Sequence, residues 1–251
     1  MPDIGKIYSI LELLREHSSH GLANKEISEK LGLPSPTSHR ILSALKKYDL
    51  VMQRGNDSRY FLGYAHLRFA QALLESSDAA SVADDYLETL HSKTGQTVFY
   101  AQHSGMYCVA LEVHGPVNTR IAVGQGELLP VYCSGAGKAV LAFLPEEKRR
   151  EIYNSNELRK YTDNTTVEPD KLEKELENIR SEMISFNKGE FHDGISAMAC
   201  PVFNRRGDAI GSVTIVGTSV AVNDDFMNTY RHDLLQSAKE ITQRLGGTFP
   251  E

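Results

Sequence analysis

Leu33-Pro34-Ser35-Pro36-Thr37-Ser38-His39-Arg40-Ile41-Leu42-Ser43-Ala44-Leu45-Lys46-Lys47-Tyr48 is the stretch whose reading decides the fold. The Ser35 hydroxyl suits a helix N-cap and Pro36 suits the first helical position, where a missing N–H costs nothing, so the spacing predicts a helix starting here. Ile41, Leu42, Leu45 and Tyr48 recur at helical spacing and form its apolar face. Thr37, Ser38, Arg40, Ser43, Lys46 and Lys47 occupy the opposite face, a set of hydroxyls and cations able to donate to phosphates and base edges. The pattern is that of a helix built to contact DNA.

Working outward, Ile4, Ile7, Tyr8, Leu11 and Leu14 predict an amphipathic first helix, ended by His17-Ser18-Ser19-His20-Gly21. Asn24 can cap a second helix running to Leu31, with Ile27 and Leu31 inward and Gly32 free to take the left-handed conformation that closes a helix. Two short helices joined by Gly32-Leu33-Pro34 have helix-turn-helix spacing, and the second is the one that enters a major groove. Downstream, Val51-Met52-Gln53 and Tyr60-Phe61-Leu62-Gly63 flank Arg54-Gly55-Asn56-Asp57-Ser58-Arg59, which reads as a β-hairpin. A hairpin directly after a helix-turn-helix is a wing, with Arg54 and Arg59 at its tip.

Charge is distributed to match. The chain of 251 residues carries a net −6, yet residues 1–68 hold 10 Lys+Arg against 7 Asp+Glu, leaving +3 in the head and −9 in the rest. A mildly basic head on an acidic body suits a small DNA module joined to a larger domain with a separate task. Residues 64–78, with Leu67, Ala70, Leu73 and Leu74 at helical spacing, predict a linker helix between a domain over 1–63 and another over 79–251. No apolar run approaches the roughly 20 residues needed to span a bilayer, and Met1-Pro2-Asp3 lacks an export signal, so no membrane association and a cytoplasmic location are expected. Cys108, Cys133 and Cys200 have no paired spacing and read as small buried hydrophobes.

The body predicts hairpin strands at 96–102 and 106–113, a short strand at 118–123, helices at 81–93, 134–144, 145–153 and 169–186, strands at 195–203 and 209–216, and a last helix over 224–245. Hairpins and grouped helices without regular alternation imply an α+β fold with helices packed on an antiparallel sheet. Ser134-Gly135-Ala136-Gly137-Lys138-Ala139 invites a phosphate-loop reading, but Tyr132 stands where the leading glycine belongs and Ala139 where the magnesium-binding hydroxyl belongs, which excludes nucleotide hydrolysis. What survives is a helix start whose Gly135 and Ala136 N–H groups suit a small carboxylate. His103, His192 and Asp193 lie at no metal-site spacing and no nucleophile elbow is present, so the body is not read as an enzyme.

Taken together, these segments resemble the IclR family of bacterial transcriptional regulators over almost the whole chain. The head carries Leu33, Pro34, Thr37 and Arg40 at the entry to the reading helix and Tyr60 to Gly63 at the close of the wing. The body carries Leu129-Pro130, the Ser134–Ala139 run and Gly194 to Phe203. The resemblance implies a winged helix-turn-helix on a GAF-like (profilin-like) effector domain, homodimers formed largely through the N-terminal part, tetramers as pairs of dimers, and a small organic acid effector that alters binding to a double-stranded operator. No cofactor is implied. Carried over by position, the effector pocket falls on Ile121, Leu129, Gly135, Ala136, Asn187, Ile195, Ala197, Thr214 and Val216. Asn187 replaces a position that is acidic in some relatives and Val216 one that carries a hydroxyl, which points to a less charged, drier pocket. On the DNA side, Ser35 in the helix start is a candidate contact, Thr37, Ser38, His39 and Arg40 are expected at base edges, and Lys25, Lys46, Lys47, Arg54 and Arg59 mostly at phosphates. Two rivals stand beside this reading: an enzyme or metabolite-sensing domain with a decorative head that shows no salt-dependent DNA affinity, and an architectural DNA binder with no ligand.

Overall fold

The computed structural model describes residues 3–54, 58–116, 123–155 and 158–250. They form two compact units, 1–76 and 77–251. In the first, α1 (Ile4–Glu16), α2 (Asn24–Leu31) and α3 (Ser35–Lys47) are followed by a two-stranded hairpin of β1 (Val51–Arg54) and β2 (Arg59–Leu62), then by α4 (Ala65–Glu75). Ile10, Leu14, Leu22, Ile27, Ile41, Leu42, Leu45, Val51 and Tyr60 make one core, so both faces of the turn and the wing rest on the same apolar cluster. Leu22 pairs with Tyr60 through two backbone hydrogen bonds, which fastens the wing to the loop before α2. Gly63 is obligatory at the wing's end: a Cβ there would lie 1.9 Å from the Asp49 carbonyl oxygen.

Several local expectations shift. α3 starts at Ser35 with Pro34 as its cap, so Ser35 is the first helical residue; its hydroxyl instead accepts from Asn24 Nδ2 at 3.0 Å. Likewise Ala23, not Asn24, precedes α2, and Glu26 accepts the Ala23 N–H at 2.7 Å, which frees the Asn24 amide to bridge to α3. Gly32 takes the expected left-handed conformation (φ 61°). Tyr48 is 72% exposed and Ile4 and Tyr8 are 81% and 60% exposed, so the apolar faces of α1 and α3 are narrower than their periodicity suggests.

The second unit is a six-stranded antiparallel sheet in the order β5-β4-β3-β8-β7-β6, from β3 (Thr97–Ser104), β4 (Tyr107–His114), β5 (Leu128–Pro130), β6 (Ser185–Lys188), β7 (Ile195–Phe203) and β8 (Ala209–Thr218). α5 (Asp78–Thr94) and α9 (Asp224–Arg244) pack on one face and on each other. α6 (Gly135–Leu141) packs over β6, β7 and β8 with α8 (Pro169–Glu182) behind it; α7 (Glu146–Tyr153) joins the two in sequence. The expected strand over 118–123 falls mostly on residues 117–122, outside the described residues. Two strands were not legible. β5 is three residues long, and β6 was expected as the end of a helix, which instead stops where Met183 turns left-handed (φ 58°).

Candidate functional site

On the first unit, the outer face of α3 presents Ser35, His39, Arg40, Lys46 and Lys47 exposed, with Thr37 half-buried beside them. Arg40 and Lys47 have no hydrogen-bond or ion-pair partner among the described residues, so both cations are available to an external anion. Lys46 is tied instead, donating to Gln53 Oε1 at 2.8 Å, while Gln53 Nε2 donates to the Ser58 carbonyl; together they join the end of α3 to the wing. Lys25 is exposed, with only a loose 3.9 Å contact to Glu29.

Two expected contact residues are corrected. Ser38 is fully buried, hydrogen-bonded to Ser28 Oγ at 2.7 Å and to Asn24 Oδ1, so it locks α2 against α3 and does not reach bases. Arg59 does not extend from the wing tip: its guanidinium donates to the Gly21 carbonyl at 2.9 Å and to Glu26 Oε2 at 3.0 Å. The N–H of Ala23, with help from Arg59, holds the Glu26 carboxyl below its ordinary range. Arg54 stays exposed, its Nη2 donating to the Tyr64 hydroxyl at 2.9 Å and its charge centre 5.5 Å from the Phe61 ring centroid, a stacked and oriented cation. The tip residues 55–57 lie outside the described residues.

On the second unit, eight of the nine carried-over pocket residues, Leu129, Gly135, Ala136, Asn187, Ile195, Ala197, Thr214 and Val216, line one cavity. Ile121 lies outside the described residues. Strand register explains the convergence. Asn187, Ala197 and Val216 stand side by side across β6, β7 and β8, and Thr214 lies in the next row between Phe99 and Ala199. Residues two apart on a strand share a face, so both rows look toward α6.

Serine and asparagine side chains sew the start of α6 onto those rows. Ser185 Oγ donates to the Gly135 carbonyl, Ser212 Oγ to that of Ala136 at 3.2 Å, and Asn187 Nδ2 to that of Cys133. Ser134 caps the helix by accepting the Gly137 N–H at 2.9 Å; Gly135 and Ala136, as the first two helical residues, have no carbonyl a turn earlier to bond. Gly137 permits the tight approach, since a Cβ would sit 2.4 Å from Val131 Cα.

No Lys, Arg, Asp or Glu lines the cavity among the described residues. Thr214 is 1% exposed and its hydroxyl is the buried side-chain polar atom left without a partner among them. Sequence reading missed Phe99, Val123, Ser134, Phe191 and His192. Phe99 was recoverable from strand alternation, whereas Phe191 and His192 sit on a loop with no periodicity to announce them.

The remaining candidates resolve as structural groups. Cys108, Cys133 and Cys200 are free and buried, and burial pushes the Cys108 and Cys133 thiols up to about 12, which keeps them protonated and inert. His103 bonds the Gly105 carbonyl inside its own hairpin turn, and burial lowers its imidazole. Asp84, Glu112 and His114 approach one another, with His114 Nε2 2.7 Å from Asp84 Oδ1, and tie α5 to β4. No helix among the described residues is long and apolar enough to cross a membrane.

The comparisons agree at both ends of the chain. The family model for the bacterial transcriptional regulator IclR C-terminal domain matches residues 71–243, and that for the IclR helix-turn-helix domain matches residues 4–55. The transcriptional repressor IclR of Escherichia coli is 28% identical over 254 residues, covering 98% of this chain and 93% of that one. The acetate operon repressor of Salmonella typhimurium is 27% identical, covering 95% and 88%. Among solved structures, Thermotoga maritima IclR superposes with a TM-score of 0.76 at 25% identity over 97% of this chain and 98% of that one. An IclR transcriptional regulator from Alicyclobacillus acidocaldarius reaches 0.82 at 24% identity over 98% and 99%, which speaks for the fold. With a helix-turn-helix and wing at its head, a curled antiparallel sheet behind, and family matches over both, this chain belongs to the IclR family of bacterial transcriptional regulators.

Proposed function

We propose that this regulator's affinity for its operator is set by a small organic acid bound in the cavity between α6 and the sheet. The observation that carries the reading is Thr214: its buried hydroxyl has no partner among the described residues, and a ligand oxygen in the cavity would satisfy it. Its neighbours fit a single carboxylate with an apolar body: the first N–H groups of α6, the Asn187 amide, and otherwise Phe99, Leu129, Ile195 and Val216. A thermal-shift screen of small monocarboxylates tests it. A ligand that raises the melting temperature of the wild-type chain and not of the Thr214→Val chain supports the site, and no stabilisation by any of them removes it.

In this reading the protein acts as a homodimer that places two α3 helices in successive major grooves about 34 Å apart. Thr37, His39 and Arg40 face base edges; Lys25, Lys47 and Arg54 meet phosphates. Support for the dimer comes from exposed apolar residues, Ile4 and Tyr8 on α1 and Phe69 and Leu73 on α4, each pair four apart on its helix. Pairs of such dimers would give the tetramer.

A further inference from the structure

We infer that the buried Lys138 is a positioning residue for the cavity: through its ion pair with Glu190 it holds the segment Gly189–Gly194, and with it Phe191 and His192, as the cavity's outer wall. The inference rests on the cavity being the ligand site. Lys138 is the residue of the phosphate-loop-like run that no function has yet absorbed. It is 0% exposed, and its ammonium donates to Glu190 Oε1 and Oε2 at 2.7 and 2.6 Å and to Glu175 on α8. All three donors of the ammonium are thus directed at carboxylates, and none is left for a phosphate. Lys138 does not itself line the cavity, whereas its α6 neighbours Gly135 and Ala136 do.

The other end of the pair lies in a segment bounded by two left-handed glycines, Gly189 (φ 75°) and Gly194 (φ 72°). Thr162 Oγ1 donates to the Gly189 carbonyl at 2.7 Å and Thr165 Oγ1 to the Glu190 carbonyl at 2.6 Å, so the backbone is tethered on one side and the Glu190 side chain on the other. Directly after these tethers Phe191 and His192 reach the cavity, with the Phe191 ring edge-on to Tyr161 at 4.8 Å. Desolvating a lysine and a glutamate is expensive, and apolar residues of the same volume serve packing as well or better. A charged pair here is explained by direction: a carboxylate between two flexible glycines has one orientation that meets the ammonium, and that orientation presents the next two side chains to the cavity.

The chain contains no tryptophan, so Phe191→Trp introduces a single fluorophore in the wall. On this background Lys138→Met/Glu190→Leu removes the buried pair, and Glu175, which also loses Lys138, is one-third exposed and keeps its contact with water. The expected result is a blue-shifted, acrylamide-protected reporter in the parent, and in the triple variant an unchanged melting transition with red-shifted emission and quenching raised several-fold. Should the triple variant not fold, Phe191→Trp/Glu190→Ala, which releases the wall but leaves Lys138 its Glu175 partner, is read in the same way. Unchanged emission and quenching in a folded variant lacking the pair would overturn the inference. The readout uses no ligand, so this failure is distinct from failure of the ligand reading, which shows as no stabilisation of the wild-type chain by any carboxylate.

Discussion

Single residues divide the labour in ways that substitution can separate. Arg40 and Lys47 both lie exposed on α3 without partners among the described residues, but Arg40 is near the helix start proposed to enter the groove and Lys47 at its end. Arg40→Ala should therefore cost roughly 1–3 kcal/mol on the preferred duplex and relax one base position, while Lys47→Ala weakens all sequences alike and reduces the salt slope by about 1. Titrating both against preferred and scrambled duplexes decides it; equal losses on the two DNAs for Arg40→Ala would strip it of base reading. Ser38 carries the opposite lesson: a hydroxyl on the polar face by periodicity spends its bonds on Ser28 and Asn24. Thr214→Val tests the orphan hydroxyl. The ligand-free protein should gain on the order of 1 kcal/mol because an unsatisfied buried group is removed, and denaturant melts measure that gain. A loss of stability would mean that the hydroxyl already has a partner.

Elements are held by a few polar clips around apolar contacts. Glu26 joins the start of α2, through the Ala23 N–H, to β2, through Arg59. Its folded value lies below 4.5, so the stability it lends is present above that pH and is lost as pH falls through the folded value. Glu26→Gln should lower the melting temperature of the N-terminal unit at neutral pH, and the gap to wild type should narrow as the pH drops below 4.5. A constant gap across that range would remove the carboxylate from the clip. The same elements show what sequence can disclose. α1, α2, α3 and the wing were readable because each carries its own signal: helical spacing, Gly32 after a helix, two apolar runs around a turn. Gly135 and Ala136 were readable from the helix start itself, whereas the other six pocket positions were readable only through family resemblance, since Leu129 and Val216 are far apart in the chain and only register brings them together. β5, β6 and the Gly189–Gly194 wall were hidden because short edge strands and loops have no period, and Arg59 was misplaced because its partner Glu26 is 33 residues away.

At the scale of the molecule, a basic head and an acidic body make a transcriptional regulator of two compact units, and the proposal assigns ligand sensing to the second. The exposed Tyr8 and Leu73 predict that Tyr8→Glu/Leu73→Glu gives a monomer by sedimentation and loses operator affinity by at least tenfold; a double variant that sediments as wild type would exclude these faces from the dimer. Coupling between the units is a difference in ligand affinity between DNA-bound and free protein, commonly about 1–3 kcal/mol or 5–150-fold. The most direct measurement is therefore a salt-controlled anisotropy titration of the duplex that the protein itself selects from a random library. It is run for the wild-type and Thr214→Val chains, with and without the monocarboxylate that most stabilises the wild type. The account predicts a ligand-dependent shift in operator affinity of at least fivefold for wild type, abolished or strongly reduced by Thr214→Val, with ligand-free affinities alike. An operator affinity indifferent to a ligand that demonstrably binds, or a Thr214→Val response equal to wild type, would contradict it.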